Sequence, residues 1–261
     1  MIDLSFLNLR NLIQIGPLTI NLYGLLYAAG FFYLYQIVKK NFESGKIDKE
    51  LSYALAIYLI IFSVLGARLF HVLFYRPEFY LEQPVRMLLI WKGGLSIHGG
   101  LLGGFIAAVI FFKKYKLNYE NNLLKFFDSV TIPLAIFLAI GRIFNLLNGE
   151  IIGIETDFSW CVALLGIEGC RHPVQVYAFF KDIMIFIFLI KIRAITKRPG
   201  VLTGSFLILY GLLRFIIDLF RDYESYYLGI GVGQYLDIGI FIIGIVVLSR
   251  NRMTRVSKSR E

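Results

Sequence analysis

Long apolar segments restrict how this chain can fold more than any other feature of its sequence. A helix needs about 20 mostly apolar residues to cross the hydrocarbon core of a bilayer. We place seven such segments at residues 18–38, 51–75, 95–112, 123–145, 174–192, 201–220 and 232–249. The chain is 57% hydrophobic, with a mean hydropathy of +0.69, above the range of ordinary soluble domains. The sequence therefore predicts an all-α polytopic membrane protein whose residues 1–261 form one transmembrane domain.

Basic residues are distributed unequally on the two sides of these segments. Of the 27 Lys and Arg residues, 17 fall in loops or at span ends on one side, six on the other side and four deeper within the spans. Since Lys and Arg are retained on the cytoplasmic side, we expect the C-terminus inside and the N-terminus outside. Many of the basic residues that give the net charge of +9 then face anionic lipid headgroups. Their spread over four loops argues against a nucleic acid partner. The first residues lack a basic region before an apolar core, so no cleavable signal peptide is expected.

Two segments are predicted to lie outside, between spans. Residues 76–94 mix aromatic and charged residues, which is typical of a segment in the membrane interface, although an ordinary loop can have the same composition. Residues 146–173 form a longer outer loop. Cys161 and Cys170 in this loop are predicted to form a disulfide, because disulfides persist in oxidising compartments and a hairpin-like turn can bring the two together. Two free thiols are the alternative.

Polar side chains within the apolar segments indicate function. The four cations inside spans are Arg68, Arg142, Lys181 and Arg214, and a charge at the bilayer centre costs at least about 2.5 kcal/mol. Arg68, Arg142 and Arg214 fall at similar depth toward the outer side, together with His98. We expect these four side chains to share a polar cavity; the alternative is that each side chain reaches separately to the headgroups.

The stretch YGLLRFIIDLFR places its polar residues on one face of a helix. Tyr210, Arg214, Asp218 and Arg221 occupy a sector of about 80° at about 100° per residue. A local Arg214–Asp218 pair at i, i+4 would account for two of these residues but not for the tyrosine. The spacing predicts a polar stripe on an otherwise apolar helix.

The stretch GRIFNLLNGE combines several polar residues with a helix end. Arg142 and Asn145 are i, i+3 neighbours, whereas Asn148 and Glu150 would lie on other faces of a continuing helix. We therefore expect the helix to end here, with Gly149 assisting the break. The polar residues that follow the helix are then expected to turn inward over the cavity.

Glycines surround His98 in the stretch GGLSIHGGLLGG. Gly99 and Gly103, and likewise Gly100 and Gly104, form small-xxx-small pairs that let helix backbones approach closely. Close packing would hold the imidazole in a fixed position, as a catalytic group requires. A histidine that only hydrogen-bonds between helices could have the same surroundings.

Together these stretches resemble one bacterial enzyme family. The resemblance rests on NLYGLLYAAGF, GARLFHVLFY, GGLSIHGGLLGG, GRIFNLLNGEIIG, RHPVQVY, YGLLRFIIDLFR and GQYLDIG, in this order. This set is similar to that of the prolipoprotein diacylglyceryl transferases, which are seven-span inner-membrane proteins of bacteria. They transfer a diacylglyceryl group from phosphatidylglycerol to the lipobox cysteine of a preprolipoprotein on the periplasmic side. The resemblance implies these two substrates as partners in the membrane, and no cofactor or metal.

The resemblance also implies roles for individual residues. Those assigned to catalysis are Tyr23, His98, Arg142 and Arg214. Those assigned to substrate binding are Arg142, Asn145, Glu150 and Tyr210. To these we add Asn148, Arg68 and Asp218 as substrate-binding candidates, because they are polar residues within or at the end of apolar segments. The chain departs from the family pattern at Phe144, Ala178 and Asp218, which stand where glycine, an acidic residue and glutamate are usual, and in the stretch RDYESYY after the sixth span. These departures indicate a divergent member.

The implied chemistry suits these residue types. The substrate thiol must attack a glyceryl carbon while a phosphate ester leaves, and a thiol with a pKa near about 8.5 needs a base or a cationic field. His98 is a candidate base, and Arg142 and Arg214 can hold the anionic leaving group. One alternative is a transporter that recognises an anion through a buried arginine pair, although the sequence shows no repeats. A non-catalytic lipid-binding protein is another alternative.

Overall fold

The computed structural model describes residues 2–3, 13–15, 18–20, 22–44, 49–117, 119–163, 166–223 and 226–258. The α-helices in these residues are α1 (Leu22–Ser44), α2 (Lys49–Phe74), α3 (Pro77–Glu82), α4 (Ile97–Lys114), α5 (Tyr119–Leu147), α6 (Val174–Ile195), α7 (Val201–Asp218) and α8 (Val232–Lys258). Two 3-10 turns, Pro84–Leu88 and Ile90–Lys92, follow α3. The strands are only two or three residues long: β1 (Ile2–Asp3), β2 (Ile13–Ile15), β3 (Leu18–Ile20), β4 (Val162–Ala163), β5 (Tyr226–Tyr227) and β6 (Ile230–Gly231). The predicted all-α architecture is therefore confirmed.

Each predicted span contains one long helix, and five helices in the described residues are long and apolar enough to cross a membrane. The five segments are Glu50–Phe74, Ile97–Lys114, Asn122–Leu147, Val201–Asp218 and Gly233–Arg250. Helix α6 is not among them, because Lys181, Asp182 and Lys191 interrupt its apolar sequence. Several such helices in one chain make it a polytopic membrane protein.

Large apolar side chains remain exposed on these helices. In α2, Leu65, Leu69 and Leu73 lie at i, i+4 and i+8, and they are 53%, 58% and 62% exposed. A helix in water would bury such a stripe against a core. In a bilayer the same stripe can face the lipid tails without further cover, which agrees with the membrane assignment.

Several helix ends differ from the predicted span boundaries, and the first and sixth spans show the physical reasons. The first span begins later than predicted, since β3 precedes α1 and its β-branched Thr19 and Ile20 favour an extended backbone. The sixth span ends earlier than predicted, because α7 stops at Asp218. Arg221 therefore does not continue the helical stripe and forms a β-bridge with Gly153, where the backbone hydrogen-bonds to the outer loop.

The chain divides into two compact units. The first unit comprises Met1–Ile13, Ile20–Leu26 and Phe127–Glu261, and the second comprises Gln14–Thr19 and Tyr27–Phe126. Helices α6, α7 and α8 and most of α5 belong to the first unit. Helices α2, α3 and α4 and most of α1 belong to the second unit.

Glycines let α2 and α4 of the second unit pack backbone against backbone. A Cβ added at Gly103 would lie 2.0 Å from the carbonyl oxygen of Phe62, and one added at Gly99 would lie 2.2 Å from that of Gly66. A Cβ at Gly100 would meet its nearest neighbouring atom at 3.6 Å, which is ordinary contact. Of the predicted small-residue pairs, Gly99 and Gly103 therefore make the tight backbone contact.

Helices of the first unit pack around buried apolar side chains. The buried cluster consists of Ile132, Ala135, Leu138, Ile185, Leu189, Leu202, Phe206 and Tyr210. Helix α8 approaches α7 closely, since a Cβ added at Gly211 would lie only 2.6 Å from the carbonyl oxygen of Asp237. The carboxylate of Asp128 accepts hydrogen bonds from the backbone N–H groups of Gly200 (2.6 Å) and Thr203 (2.8 Å). This cap from α5 fixes the beginning of α7.

The loop between α5 and α6 contains the predicted disulfide. Cys161 and Cys170 are bonded, and their Cα atoms lie 5.5 Å apart. Beside them, Val162 and Arg171 exchange two backbone hydrogen bonds of 2.9 Å. Strand β4 of this loop pairs in parallel with β1. The structure thus confirms the disulfide and shows a hairpin-like loop that leads directly into α6.

Candidate active site

A cleft in the first unit is formed by the C-terminal end of α5, the N-terminal half of α6 and the C-terminal end of α7. Its lining residues are Arg142, Ile151, Val174, Gln175, Ala178, Lys181, Arg214, Ile217, Asp218 and Arg221. Three predicted site residues, Arg142, Arg214 and Asp218, therefore meet in one cleft. Arg221 also reaches it, from the loop that follows α7.

The polar contacts of Arg142 with other described residues are all 3.5 Å or longer. Its Nη1 lies 3.5 Å from Oδ1 of Asn145, and its Nη2 lies 3.5 Å from the hydroxyl oxygen of Tyr210. Its Nε lies 3.6 Å from Oδ2 of Asp182. Charge-assisted hydrogen bonds are usually about 2.7–2.9 Å long, so the guanidinium retains donors for an anionic ligand.

Glu150 is held by two side-chain amides where α5 ends. Asn145 Nδ2 donates to its Oε2 at 3.1 Å, and Asn148 Nδ2 donates to its Oε1 at 3.3 Å. The side-chain amide of Gln175 donates to the backbone carbonyl of Glu150. Gly149 adopts a φ of +63°, a left-handed conformation that ends the helix. The predicted helix end is confirmed, and these polar groups hydrogen-bond one another. Their predicted turn inward over the cavity stays a prediction.

Arg214 is held by two carboxylates. Its Nη1 lies 2.6 Å from Oδ1 of Asp237 on α8, and its Nη2 lies 3.6 Å from Oδ2 of Asp218. The hydroxyl of Tyr223 donates to the same Asp218 oxygen at 2.5 Å. Burial and the negative charge of Asp218 raise the pKa of Tyr223 above its usual range, so its hydroxyl remains a donor. Arg214 is therefore oriented more firmly than Arg142.

Sequence reasoning assigned no site role to three charged residues beside the two arginines: Lys181, which it counted only as a cation inside a span, Asp182 and Asp237. Lys181 Nζ lies 2.5 Å from Oδ1 of Asp182, and the two residues are only 5% and 1% exposed. A sequence signal existed in each case. Lys181 and Asp182 interrupt an apolar span, and Asp237 is the only acidic residue in α8. Charges that persist in such segments usually serve a function.

Arg68 of the second unit supports the segment between α2 and α4. Its guanidinium donates to the backbone carbonyls of Arg86 (2.5 Å), Met87 (2.9 Å), Gly93 (2.6 Å) and Gly94 (2.9 Å). These carbonyls belong to the predicted interfacial segment, which the structure shows as α3 followed by two 3-10 turns. The contacts indicate that Arg68 positions this segment; its predicted role in substrate binding stays a prediction.

His98 lies in the first turn of α4, and its ring centroid is 6.2 Å from that of Phe70. His98 and Arg68 belong to the second unit, whereas Arg142 and Arg214 belong to the first. The cavity shared by all four residues therefore stays a prediction. The side chain of Tyr23 lies outside the described residues.

The cleft offers cations, carboxylates and amides, a combination suited to an anionic headgroup that also carries hydroxyl groups. Buried guanidinium groups can neutralise phosphate oxygens, and amide or carboxylate groups can accept from hydroxyls. In the part of the chain that the structure describes, no group of three or more His, Cys, Asp or Glu side chains could hold a metal ion.

Known proteins are similar to this chain over most of its length. Residues 10–250 match the family model described as prolipoprotein diacylglyceryl transferase. The relatives include proteins named phosphatidylglycerol–prolipoprotein diacylglyceryl transferase from three bacteria. That of Tolumonas auensis is 38% identical over 244 residues, covering 91% of this chain and 93% of the relative. That of Nitrosomonas europaea is 35% identical, covering 90% and 87%, and that of Rickettsia bellii is 33% identical, covering 98% and 100%. The chain therefore belongs to the prolipoprotein diacylglyceryl transferase family.

Proposed function

We propose that this protein transfers the diacylglyceryl group of phosphatidylglycerol to the lipobox cysteine of preprolipoproteins. The names of the relatives and their coverage of nearly the whole chain support this function. The observation that carries it is the cleft in which Arg142 and Arg214 line one space. Its substrates are then phosphatidylglycerol and the signal peptide of a preprolipoprotein.

The reaction forms a thioether and releases glycerol phosphate. The cysteine thiolate attacks the glyceryl carbon, a C–S bond forms, and the C–O bond to the phosphate breaks with its electron pair on the leaving oxygen. The thiol proton must go to a base, and we assign this role to His98, since an imidazole can accept a proton near neutral pH. The first turn of a well-packed helix would hold that ring in a constant position.

Arg142 and Arg214 bind the phosphate that leaves with the glycerol. The long contacts of Arg142 leave its planar guanidinium able to donate hydrogen bonds to two phosphate oxygens. Arg214, oriented by Asp237 and Asp218, adds positive charge where the leaving group becomes more anionic, and such fixed charges lower the barrier.

Other residues of the site position these groups or bind the headgroup. Asn145, Asn148 and Glu150 can hydrogen-bond the glycerol hydroxyls of phosphatidylglycerol. Asp218 and Tyr210 position the two arginines, as their contacts with Arg214 and Arg142 support. We assign Tyr23 to catalysis from its family position alone, and Arg68 to substrate binding because it is a charged residue within a span.

We further propose that the chain crosses the bacterial inner membrane seven times, with the N-terminus periplasmic and the C-terminus cytoplasmic. Helices α1 and α6 are then the other two spans beside the five apolar helices. They have 23 and 22 residues, which is long enough to cross a bilayer. In α6, the charge of Asp182 lies beside Lys181 and Arg142, which reduces the cost of placing it in lipid. The unequal distribution of Lys and Arg supports this orientation.

Transfer in a purified system tests this function. Full-length protein is incubated with vesicles that contain phosphatidylglycerol and with a synthetic lipobox peptide, and the peptide mass is measured. We expect a diacylglyceryl thioether, its loss in Arg142→Ala and its retention in Arg193→Ala, a control at an exposed arginine of α6. Lipid binding without product would indicate a lipid-binding protein, and passage of glycerol phosphate across the vesicle membrane without product would indicate a transporter.

A further inference from the structure

Lys181 lines the same cleft as Arg142 and Arg214, although it lies outside the stretches that carry the family resemblance. We propose that Lys181 is a binding residue for the phosphate group of the lipid headgroup and forms one anion site with Arg142. This assignment rests on the proposed function, because it names a further residue for the same substrate.

The ammonium of Lys181 is buried and incompletely hydrogen-bonded. It lies 2.5 Å from Oδ1 of Asp182 and 3.8 Å from the ring centroid of Tyr210. An ammonium has three N–H donors, and within the described residues Asp182 is its only polar partner. Lys181, which is only 5% exposed, therefore retains N–H donors in the cleft.

The carboxylates are unevenly shared among the cations of the cleft. Among the described residues, Asp182 is the one carboxylate within ion-pair distance of Lys181 and of Arg142, whereas Arg214 has Asp218 and Asp237. Uncompensated positive charge therefore lies on the Arg142 side of the cleft. A buried charge without its own counterion is unfavourable, and a bound phosphate would supply that counterion.

Tyr210 places the two cations next to each other. Its ring face lies below the Lys181 ammonium, a cation–π contact, and its hydroxyl oxygen lies 3.5 Å from Nη2 of Arg142. Ala178, three residues before Lys181 on α6, lines the same cleft with only a methyl group. A phosphate that reaches Arg142 would thus find the ammonium beside it.

The test compares Lys181→Met with wild type and with Lys191→Met, which removes an exposed lysine from the same helix. The methionine has similar length but no charge, and Asp182 keeps Arg142 as its partner, so we expect the variant to fold. Because a contact made equally before and during reaction affects binding alone, KM for phosphatidylglycerol should rise about 10- to 100-fold with kcat nearly unchanged. The inhibition constant of glycerol phosphate should rise similarly, and Lys191→Met should match wild type.

Other outcomes would overturn the assignment. An unchanged KM and inhibition constant in Lys181→Met would show that Lys181 does not contact the phosphate of the bound lipid. A fall in kcat alone would also overturn the assignment, because it would place the contact of Lys181 in the transition state and not in substrate binding. If the methionine variant unfolds early, Lys181→Gln, which can still donate to Asp182, is measured with the same expectation. Absence of transfer by wild-type protein would overturn the proposed function and this assignment together, whereas wild-type transfer with unaltered variant kinetics would overturn the assignment alone.

Discussion

Replacing Gly103 by alanine should separate α2 from α4, whereas the same change at Gly100 should not. A Cβ at Gly103 would lie 2.0 Å from the carbonyl oxygen of Phe62, and ordinary contact begins near 3.4 Å. The obstructing atom is backbone and cannot rotate away, so the two helices would have to move apart by about 1 Å or more. At Gly100 the added methyl would meet its nearest atom at 3.6 Å.

The difference in the free energy of unfolding between Gly103→Ala and Gly100→Ala measures the cost of the clash. Both replacements gain about 1 kcal/mol of helix propensity, because alanine favours a helix over glycine. Overpacking at a tight contact costs about 1–3 kcal/mol. We therefore expect Gly103→Ala to be about 1–3 kcal/mol less stable than Gly100→Ala, while Gly100→Ala equals or slightly exceeds wild type.

Unfolding by SDS in mixed micelles measures this difference. Activity in the transfer assay is measured on the same preparations, and we expect a larger loss in Gly103→Ala because α4 also carries His98. A stability difference below about 0.5 kcal/mol, the usual error of such comparisons, would refute the tight packing of α2 against α4.

Three further predictions concern Arg142, His98 and the disulfide. Arg142→Lys should lose transfer as fully as Arg142→Ala, because a point charge lacks the planar guanidinium; near-wild-type transfer by the lysine variant would exclude bidentate binding. His98→Gln should lose transfer at neutral pH and recover part of it as pH rises toward the thiol pKa of about 8.5; full activity at neutral pH would make His98 structural. Protein purified without reductant should show no alkylated cysteine by mass before reduction and two after it, and replacing Cys161 and Cys170 by serine should lower the free energy of unfolding by about 2–3 kcal/mol. Two modified thiols before reduction would contradict the disulfide.

The sequence predicts the helices well because the signal for a span is local. About 20 apolar residues in a row determine a membrane helix wherever the rest of the chain lies, and each predicted span contains a long helix. Gly149 likewise ends α5 through its own backbone conformation. These features require no knowledge of distant contacts.

The charge pairs of the cleft could not be predicted in the same way. Arg214 pairs with Asp237, a residue 23 positions later on another helix, and helical spacing indicates only its weaker partner Asp218. Arg221 has the spacing of the stripe but lies beyond the helix end, where backbone contacts with the outer loop replace helical ones. Such contacts depend on how α5, α6, α7 and α8 pack against one another. The periodicity of a single segment gives no information about that packing.

Attack of the thiol on the glyceryl carbon is the central chemical claim, and an oxygen label tests it most directly. Phosphatidylglycerol is prepared with ¹⁸O in the ester oxygen between the diacylglyceryl carbon and phosphorus, and both products are analysed by mass. We expect a thioether-linked diacylglyceryl peptide without label and an equal amount of glycerol phosphate that retains the label. Label in the peptide, or modified peptide without an equal release of glycerol phosphate, would contradict the proposed reaction.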